Sequence, residues 1–176
     1  MIKNDYITRA KKFVDKFDEY FQAHLIDANV GSAIIAAVWQ FNYEHKNQKI
    51  KLASGGTRKA LITSDYVIKM DFRETLWGTC NTEYRMYREA VEDGMDEIFV
   101  PITRYKARYY IMPRVTTLNE DKYCEWCEAG RRNPIDKFTD KQINYLNDYI
   151  DDLHCYNVGY WHRKPVVLDY AANIYR

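Results

Sequence analysis

The stretch DDLHCYNVGYWHRKPVVLDYA, residues 151–171, decides the fold. Within it an Asp, an Asn and a second Asp follow one another at Asp152, Asn157 and Asp169. Upstream of it, apolar residues recur at steps of three and four, which predicts a helix over 139–151. Asp152 is therefore expected where this helix ends.

The rest of the stretch predicts a hairpin that carries Asn157 and Asp169 together. Two short strands are expected at 158–160 and 166–168, because apolar and aromatic residues there flank a turn signal. That signal is the Lys-Pro pair at 164–165. Asn157 would precede the first strand, and Asp169 would follow the second.

Two acids and an amide in this order suit a site of phosphoryl transfer. That reaction needs positioning and neutralisation of charge more than covalent chemistry. Asp152 would orient the acceptor hydroxyl, while Asn157 and Asp169 would hold Mg²⁺, which prefers oxygen ligands. The alternative is that all three are ordinary surface residues, since Asp and Asn are common at turns and helix ends.

The motifs DLHCYN and LDYA resemble the catalytic loop and the metal-binding strand end of the protein-kinase-like superfamily. The resemblance is closer to aminoglycoside phosphotransferases and choline kinases than to protein Ser/Thr kinases, because Leu153 and His154 follow the first Asp. Tyr170 and Ala171 stand where protein kinases carry Phe-Gly. The resemblance implies Asp152 as the catalytic residue, ATP and Mg²⁺ as cofactors, and an α+β fold of two lobes.

The same resemblance implies a nucleotide-covering hairpin with a glycine turn, followed by a strand that carries an inward Lys. Residues 49–72 meet this requirement, since three runs of strand formers are separated by turn residues. Gly55 and Gly56 form the first turn and would lie over the nucleotide. A Gly-Gly pair by itself marks only a turn, and its position before Lys69 gives it weight. The strands are expected at 49–53, 57–63 and 66–72.

The third of these strands is expected to present different residues on its two faces. Side chains alternate along a strand, so Val67, Lys69 and Asp71 share the less apolar face. The opposite face carries Tyr66, Ile68, Met70 and Phe72. By resemblance, Val67 would contact adenine and Lys69 would contact the α and β phosphates.

The helix expected after this strand supplies a candidate ion partner for Lys69. The pattern predicts a helix over 82–93 with Asn81 as its N-cap. Glu89 lies on the solvated face of this helix, whereas Glu83 lies on the apolar face. That apolar face is shared by Met86, Tyr87 and Ala90. By resemblance Glu83 would pair with Lys69; alternatively it is only an acid that the helix dipole favours in the first turn.

Two more strands, expected at 98–105 and 108–115, complete a five-stranded antiparallel sheet. The second of them ends in Met112, Pro113 and Arg114, at the position of the hinge in the resembled family. Met112 and Arg114 would contact adenine there through backbone groups. Pro113 removes one possible donor, because proline has no N–H.

Length and composition agree with one compact domain. The chain has 176 residues, of which 47% are hydrophobic, and this is enough to bury a real core. With 26 basic and 25 acidic side chains the net charge is +1, so the charge favours neither nucleic acid nor an anionic membrane. No apolar run is long enough to span a bilayer, and the four Cys do not form a secreted-type framework. A cytoplasmic setting is therefore expected.

Three parts of the chain are expected, at 1–46, 47–115 and 116–176. The first is an N-terminal helical extension with helices over 2–25 and 29–45. Its aromatic residues would pack onto the domain or, alternatively, form a partner or dimer surface. The second part is a kinase-like N-lobe, and the third is a truncated helical C-lobe. So small a form resembles the short kinase-like proteins that some bacteriophages encode, which would place it in the host cytoplasm.

The resemblance leaves three functions to be distinguished. The first is ATP- and Mg²⁺-dependent phosphoryl transfer to a hydroxyl of a protein or a small molecule. The second is a pseudokinase-like module that binds nucleotide and binds or inhibits a partner protein, which the truncated C-lobe favours. The third is nucleotidyl transfer. A homo-oligomer is compatible with all three.

Overall fold

The computed structural model describes residues 5–26, 28–54, 58–71, 79–117, 137–150 and 157–168. The helices are α1 (Asp5–Leu25), α2 (Val30–Glu44), α3 (Thr79–Glu92) and α4 (Asp140–Tyr149). The strands are β1 (Lys51–Ser54), β2 (Arg58–Ile62), β3 (Tyr66–Asp71), β4 (Thr103–Tyr105), β5 (Tyr109–Pro113), β6 (Thr116–Thr117), β7 (Val158–Trp161) and β8 (Lys164–Val167). None of the helices in this described part is long and apolar enough to cross a membrane.

The chain forms two compact units. The first contains α1, α2 and the strands β1 to β5, and the second contains most of α3 together with α4 and β6 to β8. The predicted α+β class and the five-stranded antiparallel sheet are confirmed, with the strands in the order β1-β2-β3-β5-β4. The sheet and the helical extension belong to the first unit.

The N-terminal extension forms the two predicted helices. A side-chain cap starts α2, where Asn29 Oδ1 accepts the N–H of Ser32 at 3.0 Å. The buried residues of α1 fall at steps of three and four, as an amphipathic helix requires. They are Ala10, Phe13, Val14, Phe17 and Phe21. The aromatic residues of α1 therefore pack onto their own domain.

One face of the sheet and the two helices share a single apolar core. Ile68 and Met70 of β3 are fully buried in it, with Tyr66 nearly so. Phe13 packs edge-on against Phe41 of α2, with ring centroids 5.1 Å apart. Burying each such side chain contributes about 1.5–3 kcal/mol, so this core dominates the stability of the first unit.

A polar network also joins α1 to the turn between β4 and β5. Tyr109 Oη donates to Asp18 Oδ1 at 2.5 Å, and Lys106 Nζ lies 2.9 Å from Asp18 Oδ2. Tyr105 Oη donates to Asp15 at 2.8 Å, and Lys106 also reaches Asp15 at 3.0 Å. Burial raises the pKa of Asp18, but the hydrogen bonds from Tyr109 and Lys106 outweigh it and lower that pKa.

The strand predicted over 98–105 is wrong in its extent. Residues Asp96–Ile98 form a 3₁₀ turn instead, and the regular strand β4 is confined to Thr103–Tyr105. Between them, Phe99 makes an isolated bridge to Val167. Pro101 has no N–H to donate, so a continuous ladder through this segment would be interrupted.

The second unit contains a three-stranded sheet in the order β6-β7-β8. The predicted β7–β8 hairpin is confirmed, but the prediction that its turn lies at 164–165 is wrong. The turn consists of His162 and Arg163, which both adopt positive φ, at 50° and 64°. Two such residues form the turn that matches the twist of a hairpin. Pro165 instead lies in β8, which is an edge strand of the described three-stranded sheet. An edge strand tolerates the missing N–H of a proline.

Helix α4 begins as expected and ends earlier than expected. Thr139 and Gln142 form a reciprocal capping box at its start. The helix ends at Tyr149 and not at position 151, because Ile150 already has extended backbone angles. The Tyr145 hydroxyl on this helix donates to Asp93 at 3.0 Å, while burial and this hydrogen bond raise the pKa of Tyr145.

Candidate functional site

Lys69 lies in β3, the middle strand of the five-stranded sheet. Its two neighbours in the strand, Ile68 and Met70, point into the aromatic core, so Lys69 extends from the opposite face. Only 9% of Lys69 is exposed. A lysine is almost never buried to this degree unless its charge has a polar or anionic environment. The burial marks Lys69 as a functional candidate.

Cross-strand pairing shows what surrounds Lys69 on this face. Residues directly opposite each other in an antiparallel pair have side chains on the same face. Lys69 pairs with Ala60 of β2 on one side and with Tyr110 of β5 on the other. The Tyr110 ring is 2% exposed, and Arg104 lies 6.0 Å from its centroid. The small Ala60 and the flat Tyr110 ring flank the lysine side chain.

An apolar row runs beside the Lys69 row on the same face. Val67 pairs with Ile62 on one side and with Met112 on the other. Met112 is 4% exposed and Val67 is half-buried. The face therefore presents an apolar strip two residues along the strand from an ammonium group. The chemistry of this face matches that of a ligand with a flat apolar part and an anionic part.

The segment after Met112 is held by the turn between β2 and β3. The Arg114 N–H donates to the Asp65 carbonyl at 2.9 Å, and Arg114 Nη1 donates to the Thr63 carbonyl at 3.0 Å. Pro113 pairs with Tyr66 and has no N–H. In this structure the side chain and the backbone N–H of Arg114 are thus both engaged by the β2–β3 turn.

Asp71 caps the helix that follows β3. Both of its carboxylate oxygens accept the N–H of Cys80, at 3.1 and 3.2 Å. The prediction that Asn81 is the N-cap is therefore wrong, because α3 already begins at Thr79. A carboxylate at this end of a helix satisfies an unpaired N–H and complements the helix dipole. Sequence reasoning missed this role, although an Asp at the end of an apolar strand is its visible signal.

Glu83 is the second charged residue that the structure buries, and it is completely inaccessible. It is the fifth residue of α3, and no acid lies in the first turn of that helix. The alternative that Glu83 is a first-turn acid favoured by the helix dipole is therefore wrong. On the same helix Glu89 is exposed, as predicted, whereas Met86 and Ala90 are buried. Burial of the Glu83 side chain requires compensation of its charge.

The β7–β8 hairpin holds Asn157 at its open end. The N–H of Leu168 donates to the Asn157 carbonyl at 2.8 Å. Position 169 follows Leu168 directly, and Asp169 itself lies outside the described residues. Asp152, Gly55 and Gly56 also lie outside them. Among the described residues, no group of three His, Cys, Asp or Glu side chains is close enough to hold a metal ion.

Comparison with known proteins shows a similarity in structure and none in sequence. No protein-family profile matches the chain, and no characterised protein matches it by sequence. The chain is similar to the structure of the aminoglycoside phosphotransferase APH(2″)-IIa in a ternary complex with streptomycin and ATP. The two are 13% identical, and the match covers 77% of this chain and 71% of that chain with a TM-score of 0.45. A similarity of this degree assigns the chain to no family.

Proposed function

We propose that the protein is an ATP- and Mg²⁺-dependent phosphotransferase of the kinase-like kind, acting on a hydroxyl of a protein or a small molecule. The observation that carries this proposal is the burial of Lys69 in the middle strand, beside the apolar row of Val67 and Met112. A nucleotide has both features that this face would recognise. Its base is flat and apolar, and its phosphates are anionic.

In this proposal the chain's own residues position the nucleotide. Val67 and Met112 contact adenine, Lys69 binds the α and β phosphates, and Gly55 and Gly56 take part in nucleotide binding. Glu83 pairs with Lys69 and orients its ammonium group, as the Lys–Glu pair does in kinases. Both side chains are buried, and a buried charge needs compensation.

The hydrogen bonds of Arg114 limit which backbone groups are available to contact the base. Arg114 was expected to contact adenine through its backbone, yet its N–H donates to Asp65. Pro113 has no N–H to offer. We therefore propose that Arg114 contacts the base through its backbone carbonyl. Its side chain would instead support the hinge by holding the β2–β3 turn at Thr63.

The donors for Mg²⁺ are the Asn157 amide and the Asp169 carboxylate. Both are hard oxygen ligands, which Mg²⁺ prefers. The hydrogen bond from the Leu168 N–H to the Asn157 carbonyl supports this assignment, because it keeps Asn157 next to the residue that precedes Asp169 in the sequence. When bound, Mg²⁺ neutralises charge on the phosphates.

Asp152 supplies the remaining role. It accepts a hydrogen bond from the acceptor hydroxyl and receives its proton as the oxygen bonds to the γ-phosphorus. The bond between that phosphorus and the bridging oxygen breaks, and ADP leaves with the electron pair. The ammonium group of Lys69 stabilises the negative charge of the phosphates during this transfer.

The test is transfer of label from ATP in the presence of Mg²⁺ and cell extract. With γ-labelled ATP we expect labelled product from the wild type and none from Asp152→Ala. Lys69→Met should lose transfer, whereas Lys51→Met, an exposed lysine of the same sheet, should retain it. Glu83→Gln should lower transfer at least tenfold, and Glu89→Gln on the same helix should not.

The outcomes separate the three functions. Transfer from α-labelled ATP would indicate nucleotidyl transfer instead. Nucleotide binding that needs Lys69, without transfer of either label, would indicate the pseudokinase-like module. Equal activity of Lys69→Met and Lys51→Met would refute the proposed site, provided that both variants keep the wild-type circular dichroism spectrum.

A further inference from the structure

Asp71 is the last residue of β3, two positions beyond Lys69. Side chains alternate along a strand, so Asp71 and Lys69 lie on the same face. Two residues of strand span about 6.6 Å, so the carboxylate and the ammonium group extend from neighbouring positions on that face. The strand therefore determines where the Asp71 side chain begins relative to that of Lys69.

Helix α3 determines the position of Glu83 in the same way. Cys80 and Glu83 are three residues apart, so they lie on one side of the helix and about 4.5 Å apart along its axis. Both are completely inaccessible, and Met86 and Ala90 continue this buried side. Because the backbone of a helix is regular over one turn, the place of Cys80 determines the place of Glu83.

A hydrogen bond joins the end of β3 to the first turn of α3. Both carboxylate oxygens of Asp71 accept the N–H of Cys80, at 3.1 and 3.2 Å. The two residues belong to the same compact unit. Asp71 is half-buried, so water competes less for this charged hydrogen bond than it would at a fully exposed site. The contact therefore holds the start of α3 at the end of β3.

We propose that Asp71 is a positioning residue, which holds the first turn of α3 so that Glu83 reaches Lys69. This inference rests on the proposed pairing of Lys69 with Glu83 and names the contact that controls it. The hydrogen bond between Asp71 and Cys80 ties helix to strand two residues from one member of the pair and three residues from the other. Loss of this bond frees the start of α3, and the ammonium group of Lys69 loses its orientation toward the phosphates.

The alternative is that Asp71 acts on Lys69 through its charge alone. Arg58 lies directly opposite Asp71 in β2, and Lys69 lies two residues away, so two cationic residues neighbour this carboxylate. Asp71→Asn separates the two explanations, because the Asn side chain keeps an oxygen that can accept the Cys80 N–H but carries no charge. Positioning predicts that Asp71→Asn resembles the wild type, whereas an effect of charge predicts that it resembles Asp71→Ala.

The test is a double-mutant cycle of Lys69→Met and Glu83→Gln, measured by urea unfolding of the full chain. In the wild-type background we expect a coupling free energy between the two residues. Asp71→Ala should reduce this coupling to roughly half or less, and Asp71→Asn should retain most of it. The matched control is Asn29→Ala, which removes the side-chain cap of α2 and should leave the coupling unchanged. The general loss of stability from a missing cap cancels within each cycle, so only a change in the pairing alters the coupling.

Turnover in the label-transfer assay gives a second readout. Asp71→Ala should lower turnover roughly tenfold or more, because a displacement of about 1 Å costs on the order of 10²-fold. Asp71→Asn should restore most of the turnover, and Asn29→Ala should leave it near that of the wild type.

The outcomes distinguish this inference from the proposed function. A coupling that Asp71→Ala leaves intact would overturn the inference alone, as would an Asp71→Asn variant that behaves like Asp71→Ala. No coupling between Lys69 and Glu83 in the wild-type background would refute the pairing and the inference with it. Absence of transfer by the wild type would refute the proposed function, and the cycle would still decide whether Asp71 positions Glu83. If Asp71→Ala does not fold, Asp71→Leu, which has a similar size and no acceptor, takes its place.

Discussion

Tyr109→Phe, which removes one hydroxyl group, should measurably lower the free energy of unfolding, because this hydroxyl links β5 to α1. Tyr109 is 1% exposed, and its hydroxyl donates to Asp18 at 2.5 Å. A hydrogen bond to a charged acceptor contributes about 1.5–3 kcal/mol. Asp18 keeps Lys106 as a partner at 2.9 Å, so we place the loss at the lower end, about 1.5 kcal/mol. For a chain of this size that corresponds to a fall in Tm of roughly 3–6 °C.

The control for this prediction is Tyr105→Phe. The Tyr105 hydroxyl also donates to a carboxylate of α1, that of Asp15, at 2.8 and 2.9 Å. Here 51% of the Asp15 side chain is exposed, so water can replace the lost donor. Urea unfolding followed by circular dichroism should therefore show a clearly smaller loss for Tyr105→Phe. Equal losses in the two variants, or less than about 0.5 kcal/mol for Tyr109→Phe, would refute the reasoning.

We also predict that the loss of stability in Tyr109→Phe depends on pH. The pKa of Asp18 is lowered in the folded state, so its contribution to stability is present above its unfolded value of about 3.9. It is lost as the pH falls through the lower folded pKa. The difference in unfolding free energy between wild type and Tyr109→Phe should therefore shrink below about pH 3. If the difference in unfolding free energy stays constant from pH 7 to below about pH 3, the charge of Asp18 does not contribute to the strength of this hydrogen bond.

Three further changes should have measurable effects. Asp71→Ala should cost about 1 kcal/mol of stability in urea unfolding by removing the cap of α3, while Asp71→Asn, which keeps an acceptor oxygen, should cost less. Gly159→Ala should cost about 1–3 kcal/mol, because its Cβ would lie 2.7 Å from the Thr116 carbonyl oxygen and the strands would have to shift. Burial lowers the pKa of Lys106, but its hydrogen bonds to Asp18 and a second carboxylate raise it overall. Its contribution is therefore complete below about pH 10 and lost above the folded pKa, so Lys106→Met should approach wild-type stability in alkaline unfolding.

Periodicity predicted the elements of this fold well where one side of an element is buried. The helices of the extension and the alternation along β3 followed from apolar spacing alone, and the structure buries Ile68 and Met70 as expected. The predicted positions of turns and strand ends were wrong where they depend on the backbone angles of individual residues. The hairpin turn at His162 and Arg163 requires two positive φ angles, and neither residue signals such a turn. The short β4 follows a segment that contains Pro101, and the strand prediction gave this visible proline too little weight.

The sequence gives the order of the candidate site residues along the chain, but it does not show the environment of their side chains. Sequence spacing places Lys69 and Glu83 on particular faces, yet only the structure shows that both are buried. The cap that Asp71 supplies to α3 joins groups nine residues apart, outside the range of the local capping patterns. The resemblance at Asp152 and Asp169 concerns residues outside the described part of the chain, and their roles stay predictions.

Under the proposed function, the two faces of β3 have different tasks, one in stability and one in nucleotide binding. Tyr66, Ile68 and Met70 support the aromatic core with α1 and α2, whereas Val67 and Lys69 face the other way. A change in the core, such as Ile68→Ala, should therefore reduce the free energy of unfolding by about 2–5 kcal/mol. Lys69→Met removes only one of the two buried charges, and under the proposed pairing it leaves the buried Glu83 carboxylate without its partner, which costs about 3–5 kcal/mol. A Lys69→Met protein that is as stable as the wild type in urea unfolding would therefore contradict the proposed pairing of Lys69 with Glu83.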